Sequence, residues 1–67
     1  MNYQKFTSKQ ESVLSILNNE HLTSEEILNQ AKNIPHILKL YSVLDELRKI
    51  GVVHSYMKKD VRYHHVA

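Results

Sequence analysis

Residues 37–53, ILKLYSVLDELRKIGVV, predict a helix that ends at a glycine and continues into a strand. Four apolar residues spaced by three, four and three positions share one face of this helix: Ile37, Leu40, Leu44 and Leu47. Gly51 is the only glycine in the chain and stands where a left-handed helix C-cap is expected. The order helix-then-strand is therefore expected for the C-terminal half.

Two shorter helices are expected before this one. The first begins at residues 7–11, TSKQE, which contain two overlapping capping boxes, and the second begins with a capping box at residues 23–26, TSEE. Pro35 is expected to open the third helix at a position where its missing N–H costs little. We predict the three helices over about residues 8–18, 24–32 and 36–50.

Two runs of strand-forming residues follow Gly51 and flank the polar residues 58–60, KKD. They predict a hairpin with strands over about residues 52–57 and 61–66. A further short strand near His21 and Leu22 is left open. Three helices followed by a two-stranded wing predict one α+β domain over residues 1–67, a winged helix-turn-helix.

The charged residues are unevenly distributed along the 67 residues. Residues 48–67 contain five of the nine basic residues but one of the seven acidic residues. Such a basic end favours a polyanionic partner, although a basic tail that serves solubility alone is the alternative. The chain has no cysteine, which excludes disulfides and thiolate zinc sites.

Four segments resemble the N-terminal DNA-binding half of the ferric uptake regulator family. They are residues 21–27 (HLTSEEI), 40–47 (LYSVLDEL), 51–53 (GVV) and 62–65 (RYHH), in the order that family has. The resemblance implies a winged helix that binds DNA through its third helix. The chain departs from the family at Ser42, where an arginine is usual, and at Lys39, where a threonine is usual. The resemblance covers that N-terminal half alone, and we expect no dimerisation and metal-binding half like the family's.

The leading hypothesis is a small transcriptional regulator that binds double-stranded DNA as a homodimer. The third helix would enter the major groove and the basic wing would contact phosphate. The residues expected to contact DNA are His36, Lys39, Tyr41, Ser42, Lys58, Lys59 and Arg62. Burial of Tyr41 in the core is the alternative for that residue.

The second hypothesis is a protein-interaction module on the same fold. Its contact surface would be the outer face of the third helix, formed by Leu38, Tyr41 and Val43. The acidic pair Asp45 and Glu46, which would repel phosphate, motivates this alternative, as does the serine at position 42.

The histidines raise the question of a metal site. His21 matches a metal-ligand position of the resembling family, and His64 falls where that family has a glutamate ligand. Adjacent strand residues point to opposite faces, so His64 and His65 are poorly placed to bind one ion together. A closed site needs about four ligands, so these are weak candidates, and no metal or other cofactor is expected.

No phosphate-binding glycine loop or nucleophile motif is present, so an enzyme is not expected. The N-terminal residues lack the apolar segment of a signal peptide, and no apolar run is long enough to cross a membrane. We therefore expect a cytoplasmic protein without membrane contact.

Overall fold

The computed structural model describes residues 5–67, which form three helices followed by a two-stranded antiparallel hairpin. The elements are α1 Ser8–Ile16, α2 Ser24–Gln30, α3 Ile37–Lys49, β1 Val53–Lys58 and β2 Val61–Val66. The α+β class and the order of elements are confirmed. Each helix ends earlier than expected, and β1 begins one residue later.

Capping boxes begin the first two helices. At α1, the Gln10 N–H donates to the Thr7 hydroxyl at 3.2 Å, and the Thr7 N–H donates to the Gln10 side chain at 2.9 Å. Thr23 and Glu26 repeat this geometry at α2 with the same two distances. Of the two overlapping boxes expected at α1, the structure forms the one that starts at Thr7. These bonds satisfy N–H groups that have no partner inside the helix.

The start of α3 differs from the prediction. His36 is the N-cap, with an extended backbone, and its ring Nδ1 accepts the Lys39 N–H at 3.2 Å. Pro35 therefore precedes the cap and is not in the first helical turn. An imidazole nitrogen can accept the bond that a serine or threonine oxygen usually accepts at this position. The side chain of His36, rather than the proline ring, fixes where the helix begins.

The end of α3 is a Schellman motif. Gly51 has a φ of 85°, the left-handed conformation that the sequence predicts for it. The Gly51 N–H donates to the Arg48 carbonyl, and the Val52 N–H donates to the Leu47 carbonyl, both at 3.1 Å. These bonds satisfy two carbonyls at the helix end and turn the chain directly into β1.

The core lies between α3 and the other elements. α3 packs against α1, α2 and β1, and it buries Leu40, Val43, Leu44 and Leu47. The remaining buried apolar residues are Val13, Leu17, Ile27, Ala31, Ile34 and Val53. The prediction that Val43 lies on the outer face of α3 is wrong, because its side chain is 3 % exposed. A helix covered by three neighbours must bury a wide stripe, which includes Val43.

A single bridge extends the hairpin to a third chain segment. The Leu22 N–H donates to the His64 carbonyl at 3.0 Å, and the His64 N–H donates to the Leu22 carbonyl at 2.7 Å. The short strand left open near His21 and Leu22 is thus present as one bridged residue. It ties the segment before α2 to the edge of β2.

The hairpin tip has an unusual backbone. Lys59 and Asp60 have φ values of 52° and 66°, so both central residues of the two-residue loop are left-handed. This pattern matches the type I′ turn, whose right-handed twist suits a hairpin but which prefers Asn-Gly. The tip therefore holds two charged residues in a conformation that side chains disfavour. Among residues 5–67, no helix has the length and apolar character needed to cross a lipid bilayer.

We expect Gly51→Ala to lower the free energy of unfolding by about 1 kcal/mol. No atom lies within 4 Å of a Cβ placed at Gly51, so the penalty comes from the positive φ and not from a clash. Urea denaturation measures the change. Gly51→Asn is the matched control and should lose less, because asparagine tolerates this conformation. An alanine variant as stable as the original protein would contradict this account.

A candidate nucleic-acid interface on α3 and the hairpin

The N-terminal half of α3 presents an open, partly apolar face. Leu38 is 69 % exposed and Tyr41 is 50 % exposed, and neither belongs to the core. Lys39 and Ser42 are also exposed beside them. The alternative in which Tyr41 is a buried core residue is wrong, because the residue is half exposed at the border of the core stripe.

The acidic residues of α3 are engaged with other side chains. Asp45 forms salt bridges with Arg48 at 3.4 Å and with Lys49 at 3.2 Å. Glu46 accepts a hydrogen bond from the Gln10 side chain of α1 at 3.1 Å. The first turn of α3 contains no acidic residue. The repulsion that Asp45 and Glu46 would exert on a polyanion is thus reduced where the helix begins.

His36 offers a hydrogen-bond donor at the start of α3. Its Nδ1 accepts the Lys39 N–H, so a neutral ring must hold its proton on Nε2. The residue is exposed, which leaves that N–H open to solvent. His36 therefore has a structural role at one nitrogen and can donate to an oxygen acceptor with the other.

The three basic residues expected to contact DNA from the hairpin are all exposed, but they lie on different faces. Side chains alternate along a strand, so Arg62 shares the inner face with the buried His64, while Lys58 points outward. Lys59 occupies the tip. Arg62 lines a cavity of about 200 Å³ together with Tyr41 of α3. This cavity joins the exposed face of α3 and the hairpin into one continuous surface.

His64 anchors the hairpin beneath this surface. It is 3 % exposed, its Nδ1 is 2.7 Å from the Ser55 hydroxyl and its Nε2 is 2.9 Å from the Ser24 hydroxyl. In a neutral ring, one nitrogen donates to a serine and the other accepts from a serine. Burial, and then the positive charges of Arg48 and Arg62, lower the pKa of His64 from 6.5 to about 4. The neutral ring therefore joins α2, β1 and β2 at neutral pH.

The two histidines considered as metal ligands have other partners. Both nitrogens of His64 are bonded to serines, so neither is open to an ion. His21 Nδ1 lies 2.8 Å from the Tyr56 hydroxyl, and its ring stacks on His65 at 4.5 Å between centroids. In the described part of the chain, no three His, Cys, Asp or Glu side chains group closely enough to hold a metal ion.

A cluster of rings covers the outer face of the hairpin. Tyr56 stacks on Tyr63 with a centroid distance of 5.6 Å, and it also contacts His21 and His65. His54 extends the cluster through His65. Such cross-strand aromatic pairs stabilise a hairpin. The period-two alternation of rings at His54 and Tyr56, and at Tyr63 and His65, is the sequence signal that could have predicted this cluster.

Sequence reasoning also missed three residues that shape the surface. Ser24 and Ser55 hold His64, and Arg48 lines the same cavity as Tyr41 and Arg62. Serines at a helix start and in a strand carry no signal of a shared partner, because that partner lies far away in the sequence. The sequence indicates Arg48 only as one of the basic residues in the segment 48–67.

No family model, curated protein or solved structure matches this chain.

Acid should destabilise the fold through His64. Between pH 6.5 and about 4, the unfolded chain binds a proton at this residue and the folded chain does not, so stability falls as the pH falls through this window. The free energy of unfolding should decrease by roughly 3 kcal/mol in total and level off below it. Urea denaturation at a series of pH values measures this change.

His64→Gln is the matched variant for this prediction. Glutamine keeps a donor and an acceptor but does not titrate. The variant should be less stable at pH 7, and its free energy of unfolding should depend less on pH. Both proteins contain the other four histidines, so the contributions of those residues cancel when the two are compared. Equal slopes for the two proteins would show that His64 is not the titrating group.

Proposed function

We propose that the chain is a winged-helix DNA-binding transcriptional regulator, with α3 in the major groove and the hairpin as its wing. The observation that carries the proposal is the continuous surface from the N-terminal half of α3 to the hairpin, which meet at the cavity shared by Tyr41 and Arg62. Recognition helix and wing must lie on one side of such a domain to contact one duplex.

The electrostatics of that surface support the proposal. The N-terminal half of α3 has Lys39, the free His36 N–H and the positive end of the helix dipole, with no acid in the first turn. Lys39 and His36 would contact phosphate, and Ser42 and Tyr41 would reach phosphate or base edges. Lys58 and Lys59 would contact the backbone beside the groove.

A homodimer is part of the proposal. One domain with about seven contact residues would bind DNA weakly, whereas two linked copies raise the affinity by binding neighbouring half-sites. The four segments that resemble ferric uptake regulators also favour a DNA-binding role. Ser42, in place of an arginine, implies a different base preference from theirs.

Salt dependence of duplex binding tests this function. We expect the protein to bind a random-sequence 25-base-pair duplex, with an affinity that falls steeply as salt rises. Lys58→Ala combined with Lys59→Ala should weaken binding and lower the magnitude of the log–log salt slope by about 2. Fluorescence anisotropy over a salt series measures both quantities.

The matched control removes two lysines elsewhere, by Lys5→Ala and Lys32→Ala. Lys32 lines a depression between α1 and the end of α2, which shares no residue with the cavity at Tyr41. The control should keep a salt slope near that of the original protein. No binding at low salt, or equal losses in both double variants, would refute DNA recognition by this surface.

A protein-interaction module is the second candidate, and the exposure of Leu38 and Tyr41 favours it. With Val43 buried, its contact surface is reduced to these two residues. Duplex titrations of two neighbouring variants separate the candidates. If α3 contacts DNA, Lys39→Ala should weaken duplex binding several-fold, and Leu38→Ser should change it little because leucine makes no phosphate contact. If the protein binds duplex weakly and neither variant changes that affinity, the protein-interaction module is favoured.

A further inference from the structure

A small cleft separates α3 from the hairpin on the surface described above. Its volume is about 200 Å³, and it is lined by Ser24, Tyr41, Leu44, Arg48, Arg62 and His64. At about 30 Å³ per water molecule, it has room for roughly six waters. Its hydrogen-bond donors are the two guanidinium groups and the Tyr41 hydroxyl, since Ser24 and His64 already bond each other.

The charges around the cleft are unbalanced. Arg48 comes from α3 and Arg62 comes from β2, and no carboxylate lines the space between them. Within residues 5–67, Arg62 forms no salt bridge, and Arg48 shares Asp45 with Lys49. Two like charges from separate elements repel each other when they face one cleft. An anion between them would convert this repulsion into attraction.

The positive field of the two arginines reaches the floor of the cleft. Both of them lower the pKa of His64, after the larger effect of burial. The Asp45 carboxylate pairs with Arg48 at 3.4 Å, but it does not line the cleft. His64 lines the cleft and is held there by its bonds to Ser24 and Ser55. Its pKa therefore reports the charge in the cleft.

We propose that this cleft binds a phosphate-type oxyanion, held by Arg48 and Arg62 with the Tyr41 hydroxyl as a further donor. Guanidinium groups bind phosphate in a bidentate geometry, and charge-assisted bonds of this kind are about twice as strong as neutral ones. The bound anion would link α3 to the hairpin, and it would thereby fix the angle between them.

Two sources supply this chemistry, a backbone phosphate of a DNA duplex and a free phosphate group. Only the first rests on the proposed function, because the second needs no nucleic acid. In the first case the cleft is the phosphate contact between recognition helix and wing. In the second it is an effector site.

Titration with inorganic phosphate tests the cleft without DNA. We expect saturable binding by calorimetry at pH 7, with a Kd on the order of 1 mM. The NMR titration of the His64 ring should show its pKa rising with phosphate, because the anion offsets both arginines. Sodium chloride at matched ionic strength should show no saturable binding and should raise the pKa less, by screening alone.

Two pairs of variants locate the site. Arg62→Gln and Arg48→Gln should each weaken phosphate binding by about tenfold or more. The controls are Lys9→Gln on α1 and Lys32→Gln after α2, which do not line the cleft, and each should weaken it less than about twofold. Equal losses in an arginine variant and its lysine control would overturn the proposal, as would the absence of saturable binding.

The NMR signals of the Arg48 and Arg62 side chains identify the source. If random duplex shifts them and phosphate competes with it, the cleft holds a backbone phosphate. If phosphate binds and duplex neither shifts them nor is displaced, the anion is free and the oxyanion site stands even where DNA binding fails. Duplex binding that is indifferent to Arg48→Gln and Arg62→Gln, with no phosphate binding, would overturn the oxyanion site and leave the DNA-binding function standing.

Discussion

The position of the hairpin depends on His64. Its backbone pairs with Leu22, and its buried ring bonds Ser24 and Ser55, so one residue connects the segment before α2, the start of α2 and both strands. A buried polar group with both partners satisfied specifies one arrangement, whereas loss of either partner leaves an unpaired group in a low dielectric. Hairpin and helices are therefore held in one fixed arrangement, and Arg62 is placed opposite Tyr41 and Arg48 as a result.

In this arrangement, the acidic residues of α3 and the lysines of the hairpin lie in different parts of the surface. Carboxylates in the second half of α3 are paired with cations or turned toward α1, while the lysines of the hairpin tip stand apart from them. A surface of one dominant sign attracts a polyanion and weakens that attraction as salt rises. The small net charge of +2 conceals this separation, because it averages over both ends of the domain.

Local chemistry explains why the sequence predicts the helices, the hairpin and the glycine cap. Capping boxes and Gly51 act within a few residues, so their geometry follows from neighbours in the sequence. The prediction that Val43 is exposed is wrong because the width of the buried stripe depends on how many elements cover α3. The burial of His64 could not be foreseen either. His64 and His65 are equivalent in local sequence, and only the register with Leu22 and Ser55 decides which one faces the core.

The sequence predicts those site residues whose exposure follows from their position in a helix or turn. Lys39, Ser42 and the hairpin lysines are exposed because they lie off the core stripe or at a turn. The sequence does not predict a role for Arg48 or Ser24, because both line a cavity that forms only where distant elements meet. The cleft itself is such a meeting point and has no signature in any single segment.

The separation of its partners in the sequence also sets the order in which the fold is completed. Ser24 and His64 are 40 positions apart, so their contact requires a loop closure that no hydrogen bond within a helix requires. On a ribosome, the sheet cannot close until residue 64 has been synthesised, and such short helices are marginal without their packing partners. Until then the apolar face of α3 lacks its strand partner. The nascent chain therefore exposes apolar surface until the hairpin forms, and completion of the hairpin ends the period when it is most prone to aggregate.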